Sequence, residues 1–156
     1  MSRRTSPESN EGTAVAGKGE GGASERLRVL LVDDHAPTRA EMFSMIAAQS
    51  CLQIAGQAGS GEEAIRKAKQ LRPDVVIMDI LLPDITGVEA TTTILRDLPE
   101  TRIVALSNHC GRSWVQAFLG AGGMGFVRKD YAFEELIPAI QTISRGESFL
   151  GSRVNE

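Results

Sequence analysis

Five short apolar runs, separated by segments of helical character, constrain the fold of this chain more than any other feature of its sequence. The runs cover residues 27–32, 52–56, 75–78, 103–106 and 125–128. The second run is weaker and alternates with polar residues, whereas the others are nearly continuous, as in strands that are buried on both faces of a sheet. Strands that alternate with helices form a parallel sheet covered on both sides, so the pattern predicts an α/β fold.

Five helical segments lie between and after these runs, at residues 39–49, 64–71, 88–98, 113–119 and 133–145. A capping-box spacing at 60–63 opens the second segment, Pro73 ends it, and Gly146 is placed to cap the last one. Pro138 lies inside the last segment and removes a backbone hydrogen bond there, so we expect a kink near Glu134 unless the helix starts late.

Composition and charge exclude several classes of protein. The chain of 156 residues has 17 Lys+Arg against 20 Asp+Glu and a net charge of −3, so it has no overall attraction for nucleic acid or anionic lipid. Its apolar runs are too short to span a membrane, and its first residues lack a secretory signal. Cys51 and Cys110 form neither a metal pair nor a disulfide framework, which favours a reducing cytoplasm. We therefore expect a cytoplasmic protein that binds neither membranes nor nucleic acid directly.

The chain divides unevenly along its length. Residues 1–25 are rich in glycine and poor in large apolar side chains, which predicts a disordered N-terminal tail. Residues 26–147 hold all the apolar runs and helical segments and are expected to form one folded domain. Residues 148–156 are expected to start a linker or a C-terminal tail.

Polar residues follow the stronger runs at corresponding positions: Asp33 and Asp34, Asp79, Ser107 and Lys129. Because parallel strands end at the same edge of a sheet, these side chains should meet there. Three carboxylates in one crevice repel one another unless a cation joins them, and Mg²⁺ prefers such oxygen ligands. An Asp beside that ion is a competent nucleophile toward a phosphoryl donor, and a nearby ammonium would offset the charge of the transferred group.

This constellation resembles the CheY-like receiver domain of bacterial two-component response regulators. The matching motifs are VDDH at 32–35, DVVIMDILLPDITG at 74–87, ALSN at 105–108 and GFVRKD at 125–130. The resemblance extends over roughly 27–146 and is closest to the NarL/FixJ-type subfamily, which controls LuxR-type helix-turn-helix domains. That subfamily often lacks the proline that many receivers carry after the lysine, and this chain has Asp130 there. The resemblance implies a flavodoxin-like, doubly wound parallel sheet of five strands in the order 2-1-3-4-5.

The resemblance also implies a phosphoacceptor site. Asp79 would accept a phosphoryl group from a sensor histidine kinase. Asp34, Asp79 and the backbone carbonyl of Leu81 would bind Mg²⁺ directly, while Asp33 would act mainly through water. Taken alone, Asp33 and Asp34 are better explained as a helix N-cap with a neighbouring charge. Their joint placement with Asp79 and Lys129 favours the functional interpretation.

The same resemblance implies a switch. Ser107 would be the switch hydroxyl, Lys129 would contact the phosphoryl group, and Phe126 would be the switch aromatic. Phosphorylation would then remodel a signalling face formed by 108–122 and 125–145. Ser107 has an alternative role as a helix cap, and Phe126 has one as ordinary core packing.

The sequence leaves the output open. The chain is either the receiver of a transcription factor whose LuxR-type domain lies outside this sequence, or a stand-alone receiver that signals by protein contact, with homodimer formation on phosphorylation as one route. We expect no enzyme acting on outside substrates. A haloacid-dehalogenase-like phosphatase needs a second Asp two positions after its nucleophile, where this chain has Leu81. A flavodoxin-like flavin binder is disfavoured by Asp33 and Asp34 in the first loop.

Overall fold

A six-stranded parallel sheet in the order β2-β1-β3-β4-β5-β6 forms the centre of the protein. This computed structural model describes residues 25–154, so the tail expected at 1–25 lies almost entirely outside the described residues, as do the last two. The strands are β1 Leu27–Val32, β2 Leu52–Ala58, β3 Val75–Met78, β4 Arg102–Ser107, β5 Gly125–Arg128 and β6 Phe149–Leu150. The predicted α/β class and the order of the first five strands are confirmed.

Five helices cover the two faces of this sheet. They are α1 Ala36–Ala47, α2 Gly61–Leu71, α3 Gly87–Asp97, α4 Arg112–Gly120 and α5 Ala132–Ser144, the last preceded by a short 3-10 helix at Lys129–Tyr131. The helices α2, α3 and α4 pack on one face, and α1 and α5 pack on the other. Within the described part of the chain, no helix is long and apolar enough to cross a membrane.

Successive residues of the central strands contribute to opposite cores. In β1, Val29 and Leu31 pack toward α1 and α5, whereas Leu30 and Val32 pack toward α2, α3 and α4. All four side chains are at most 1% exposed. Both faces of the strand are therefore buried, which explains why β1 reads as a continuous apolar run rather than an alternating one.

Two helices can be compared in detail with the sequence prediction. The first, α1, begins at Ala36 rather than at residue 39, because Pro37 fits the first helical turn and the side chain of His35 accepts a hydrogen bond from the N–H of Thr38. The last, α5, contains Pro138 and is helical on both sides of it. The kink expected there stays a prediction.

The sixth strand was not expected from the sequence. It has two residues, which is too short for a detectable pattern, and it pairs with β5 through Gly125–Phe149 and Phe126–Leu150. The Gly151 N–H then donates to the Phe126 carbonyl at 2.8 Å. The N–H and hydroxyl of Ser152 donate to the Glu135 carboxylate of α5 at 3.1 and 2.5 Å. The segment expected to start a linker thus contains a strand that covers the edge of β5.

Candidate functional site

Three carboxylates meet at the carboxyl-terminal edge of the sheet. Asp33 and Asp34 follow β1, and Asp79 follows the neighbouring strand β3. One carboxylate oxygen from each residue lies within 4.8 Å of the other two. Asp33 and Asp79 are buried, at 2% and 5% exposed, whereas Asp34 is exposed. The predicted cluster of acidic side chains is therefore assembled, with one member open to solvent.

A single ammonium bridges the two buried carboxylates. Lys129 directly follows β5, and its Nζ lies 2.9 Å from Asp33 Oδ2 and 3.0 Å from Asp79 Oδ2. The Lys129 side chain is itself 18% exposed. Three carboxylates against one ammonium leave an excess of negative charge in the pocket, which a divalent cation would reduce.

Burial and neighbouring charges together raise the pKa of both Asp79 and Lys129, for different reasons. Burial raises the pKa of the Asp79 carboxyl, and the charge of Asp33 adds to the rise, which the hydrogen bond and charge of Lys129 reduce without cancelling. Burial alone would lower the pKa of Lys129, but its hydrogen bonds to Asp33 and Asp79, and their charges, outweigh burial and raise it. Lys129 therefore remains a cation, whereas the ionised form of Asp79 is less favourable in the folded protein than in water.

The backbone around Asp79 is tightly packed. The N–H of Asp79 donates to the Val32 carbonyl at 3.1 Å, and the N–H of Ile80 donates to Asp79 Oδ1 at 2.8 Å. A Cβ atom at Gly87 would lie 2.0 Å from the Asp79 carbonyl oxygen, so only glycine fits at the start of α3. The loop between β3 and α3 folds back on itself through a bridge between Leu81 and Thr86. These contacts hold the backbone that carries Asp79.

The same loop is attached to α2 by Asp84. Its carboxylate accepts hydrogen bonds from the N–H groups of Gly61 and Glu62, each at 2.8 Å, at the N-terminal end of that helix. The bond from Glu62, followed by the bond from Gly61, lowers the pKa of Asp84. A carboxylate at a helix N-terminus is favoured by the helix dipole, so Asp84 fastens the loop after Asp79 to α2.

We expect the Asp84→Asn variant to be less stable than the wild type at neutral pH, with a difference that disappears in acid. The lowered pKa contributes stability above the ordinary Asp pKa of about 3.9, and this contribution is lost as the pH falls through the lower folded value. Urea unfolding followed by circular dichroism over this range measures the difference. Asp97→Asn, a change at an exposed residue of α3, is the matched control. A constant difference between wild type and Asp84→Asn at every pH would contradict the expectation.

Ser107 and Phe126 lie on neighbouring strands of the sheet, β4 and β5. Ser107 ends β4 and is fully buried. It lies opposite Arg128, the residue that precedes Lys129 in the sequence. Its hydroxyl oxygen accepts a hydrogen bond from the N–H of His109 at 3.0 Å. Phe126 is also fully buried, and its ring meets Phe118 of α4 edge to face with centroids 5.6 Å apart. The side chain of Phe126 therefore connects β5 to α4.

Two residues that hold the backbone segments carrying this site were not singled out from the sequence. Arg39 donates to the backbone carbonyl of Asp33, and Asp84 holds the loop after Asp79. A charged residue in an amphipathic helix or an exposed loop is usually solvated, so neither carried a distinguishing signal. Only the proximity of Arg39 to the Asp33–Asp34 pair, five to six positions along the chain, could have pointed to it.

Comparison with known proteins identifies the family. Residues 29–141 match the response regulator receiver domain. The response regulator protein VraR of Staphylococcus aureus is 38% identical over 122 residues, which are 78% of this chain and 58% of VraR. The match thus spans less than two thirds of that relative.

Solved structures agree with this match. A LuxR family two-component response regulator from Aurantimonas sp. SI85-9A1 superposes with a TM-score of 0.76 at 31% identity, over 80% of this chain and 89% of that one. The signal receiver domain of the response regulator NarL from Mycobacterium tuberculosis gives a TM-score of 0.74 at 27% identity, over 79% of this chain and 99% of that one. The chain belongs to the response regulator receiver family, close to its NarL and LuxR members, as the sequence resemblance predicted.

Proposed function

We propose that this chain receives a phosphoryl group on Asp79 from the phosphohistidine of a sensor histidine kinase. The observation that carries the proposal is the Lys129 ammonium held between the buried carboxylates of Asp33 and Asp79, with Asp34 in the same cluster. Asp79 is the member that combines burial with a raised pKa and direct contact with Lys129. A carboxylate held beside a cation is placed to act as a nucleophile toward a phosphoryl donor.

The donor set of the pocket fits Mg²⁺. Its three carboxylates supply oxygen only, which suits a hard divalent cation and leaves room for the several waters that Mg²⁺ keeps. Asp34, Asp79 and the backbone carbonyl of Leu81 would hold the ion, with Asp33 contributing through water. When bound, Mg²⁺ would neutralise negative charge on the phosphoryl oxygens.

Phosphoryl transfer needs little covalent chemistry from the protein. An oxygen of Asp79 attacks phosphorus and forms a P–O bond as the P–N bond to the kinase imidazole breaks. The imidazole leaves with the bonding electron pair and takes up a proton. Lys129 then offsets charge on the phosphoryl oxygens, since its Nζ already lies 3.0 Å from Asp79 Oδ2. The Ser107 hydroxyl donates a hydrogen bond to the same group.

The phosphorylated site would shift the protein between two packings. The phosphoryl group carries about 1.5 to 2 negative charges at one point, and it favours whichever packing offers it more donors. Ser107 ends β4 and Phe126 packs on Phe118 of α4, so movement at either residue reaches the signalling face formed by 108–122 and 125–145. Phe126 acts as the switch aromatic in this proposal.

The output of this receiver is proposed to be transcription, through a LuxR-type helix-turn-helix domain that is not part of this chain. The relatives named for the LuxR family and the partial coverage of VraR support this choice. A stand-alone receiver acting by protein contact is the second candidate, and homodimer formation on phosphorylation is compatible with both. The chain acts in the cytoplasm as a phosphoacceptor rather than as an enzyme for outside substrates, because Leu81 supplies no side-chain carboxylate.

Phosphorylation by a small-molecule donor tests the proposed function. We expect the chain to gain one phosphoryl group from acetyl phosphate in Mg²⁺ and none in EDTA, read by intact mass. Asp34→Ala should lose this uptake because its carboxylate is a proposed ligand, whereas Asp130→Ala, next to Lys129 but paired with Arg128, should keep it. A folded wild-type chain that gains no phosphoryl group would contradict the proposal, as would full uptake by Asp34→Ala.

A further inference from the structure

Arg39 of α1 connects the acidic pocket to the neighbouring strand β2. Its Nη1 donates to the backbone carbonyl of Asp33, and its Nε donates to Gln57 Oε1 of β2 at 3.2 Å. Arg39 as a residue is half-buried. One rigid, planar group thus joins the turn after β1 to the sheet, which a flexible lysine ammonium cannot do in the same way.

The carbonyl that Arg39 holds belongs to the peptide group between Asp33 and Asp34. Asp33 has further anchors, because its N–H donates to Ala58 at 3.0 Å and its Oδ1 accepts from His35 at 2.9 Å. Within residues 25–154, the Asp34 carboxylate has neither a hydrogen bond nor an ion pair. The direction of Asp34 therefore depends on the peptide group that precedes it.

Helix stability does not account for this arginine. It lies near the N-terminal end of α1, where the helix dipole disfavours a cation, and the first turn of α1 contains no acidic residue to offset it. Its charge also lies beside a pocket that is proposed to bind a second cation, where it repels that ion. The negative charge of the pocket accounts for a cation at this position, and the contacts to Asp33 and Gln57 favour an arginine over a lysine.

We propose that Arg39 is a positioning residue for the cation site, which orients the Asp33–Asp34 peptide so that Asp34 faces the ion. The inference rests on the proposed Mg²⁺ site. It makes a prediction of unusual sign. Removing a positive charge beside a cation site should tighten cation binding if charge alone matters, whereas removing a positioning contact should weaken it.

The experiment measures the Mg²⁺ dissociation constant by titration calorimetry, without any phosphoryl donor. For Arg39→Met we expect a dissociation constant about tenfold higher than that of the wild type, the lower end of the range for partners of metal ligands. Arg39→Lys keeps the charge but not the two-point bridge, so its binding should also be weaker. Arg66→Met removes the same charge from an exposed position on α2 and should leave the constant unchanged.

Urea unfolding of each variant in EDTA measures its stability without Mg²⁺, so a change in Mg²⁺ affinity can be distinguished from a loss of folding. Should Arg39→Met fail to fold, Gln57→Met carries the test, because it removes the anchor on β2 and should also raise the dissociation constant. If the wild type binds Mg²⁺ and Asp34→Ala does not, the cation site itself stands. Unchanged or tighter Mg²⁺ binding in the folded Arg39 and Gln57 variants would then overturn only the positioning role of Arg39. Absence of Mg²⁺ binding by the wild type would overturn both this inference and the proposed cation site.

Discussion

Replacing Asp79 by Asn is expected to abolish phosphoryl uptake and, at the same time, to stabilise the unmodified domain. Uptake is lost because the Asn amide cannot act as the nucleophile, even though Asp33, Asp34 and Lys129 are still present. Stability rises because Asn has nearly the shape of Asp without its charge, and the pKa of Asp79 is raised by burial and by the charge of Asp33. Lys129 keeps its ion pair with Asp33 in this variant.

The gain in stability depends on pH in a defined direction. A carboxyl whose folded pKa is raised contributes most favourably below its unfolded pKa, and this contribution is lost as the pH rises through the folded value. The excess stability of Asp79→Asn should therefore be largest above the folded pKa of Asp79 and should vanish in acid, below the unfolded pKa. Urea unfolding in EDTA measures it, and intact mass after acetyl phosphate treatment measures uptake. Asp130→Asn carries the same charge change and should behave as the wild type in uptake.

Two outcomes would contradict this prediction. Phosphorylation of Asp79→Asn to the level of the wild type would place the acceptor at another residue. A loss of stability in Asp79→Asn at every pH would mean that the Asp79–Lys129 ion pair outweighs the cost of burying the carboxylate.

Replacing Lys129 by Met is expected to destabilise the domain by about 3 kcal/mol at neutral pH, the lower end of the range for removing one partner of a buried ion pair. Asp33 and Asp79 would both lose the ammonium that lies 2.9 to 3.0 Å from them. Without it, the pKa of Asp79 rises further, so the variant should recover stability as the pH is lowered. Urea unfolding in EDTA at neutral and acid pH measures both effects.

Double substitution makes this prediction sharper. In Lys129→Met combined with Asp79→Asn, only one buried carboxylate is left unpaired, so the combined loss should be clearly smaller than that of Lys129→Met alone. Lys69→Met is the matched control, since Lys69 is 70% exposed and lies 3.9 Å from Asp97, and such surface pairs contribute about 0 to 1 kcal/mol. Equal losses for Lys129→Met and Lys69→Met would contradict a role for Lys129 as the neutralising group of the pocket.

The fold was largely predictable because its strands are short and doubly buried. The runs at β1, β3 and β4 are apolar at nearly every position, as burial on both faces requires, and the polar residues after them mark the sheet edge. The order of the strands could not be predicted in this way, since apolar runs indicate that a sheet exists but not which strands are neighbours. That order came from the resemblance, and the structure agrees with it.

The site could be predicted only as far as topology brings strand ends together. Asp33, Asp79 and Lys129 each follow a strand, so a parallel sheet places them at one edge. The contacts by which Arg39 and Asp84 hold the site are to backbone groups, namely the carbonyl of Asp33 and the N–H groups at the start of α2, although Arg39 also donates to the side chain of Gln57. Backbone partners have no side-chain signature in sequence, which explains why these two residues were missed.

The two-residue strand β6 has a consequence for the design of fragments. If the chain were shortened after Glu147, β5 would become the outermost strand, and the Phe126 carbonyl would lose the N–H of Gly151. Uncovered strand edges pair readily with other chains, and the fragment would also lose Phe149, which packs on the core beneath α5, and Val154, which is 9% exposed. A fragment that is intended to remain monomeric at high concentration should therefore extend through Val154.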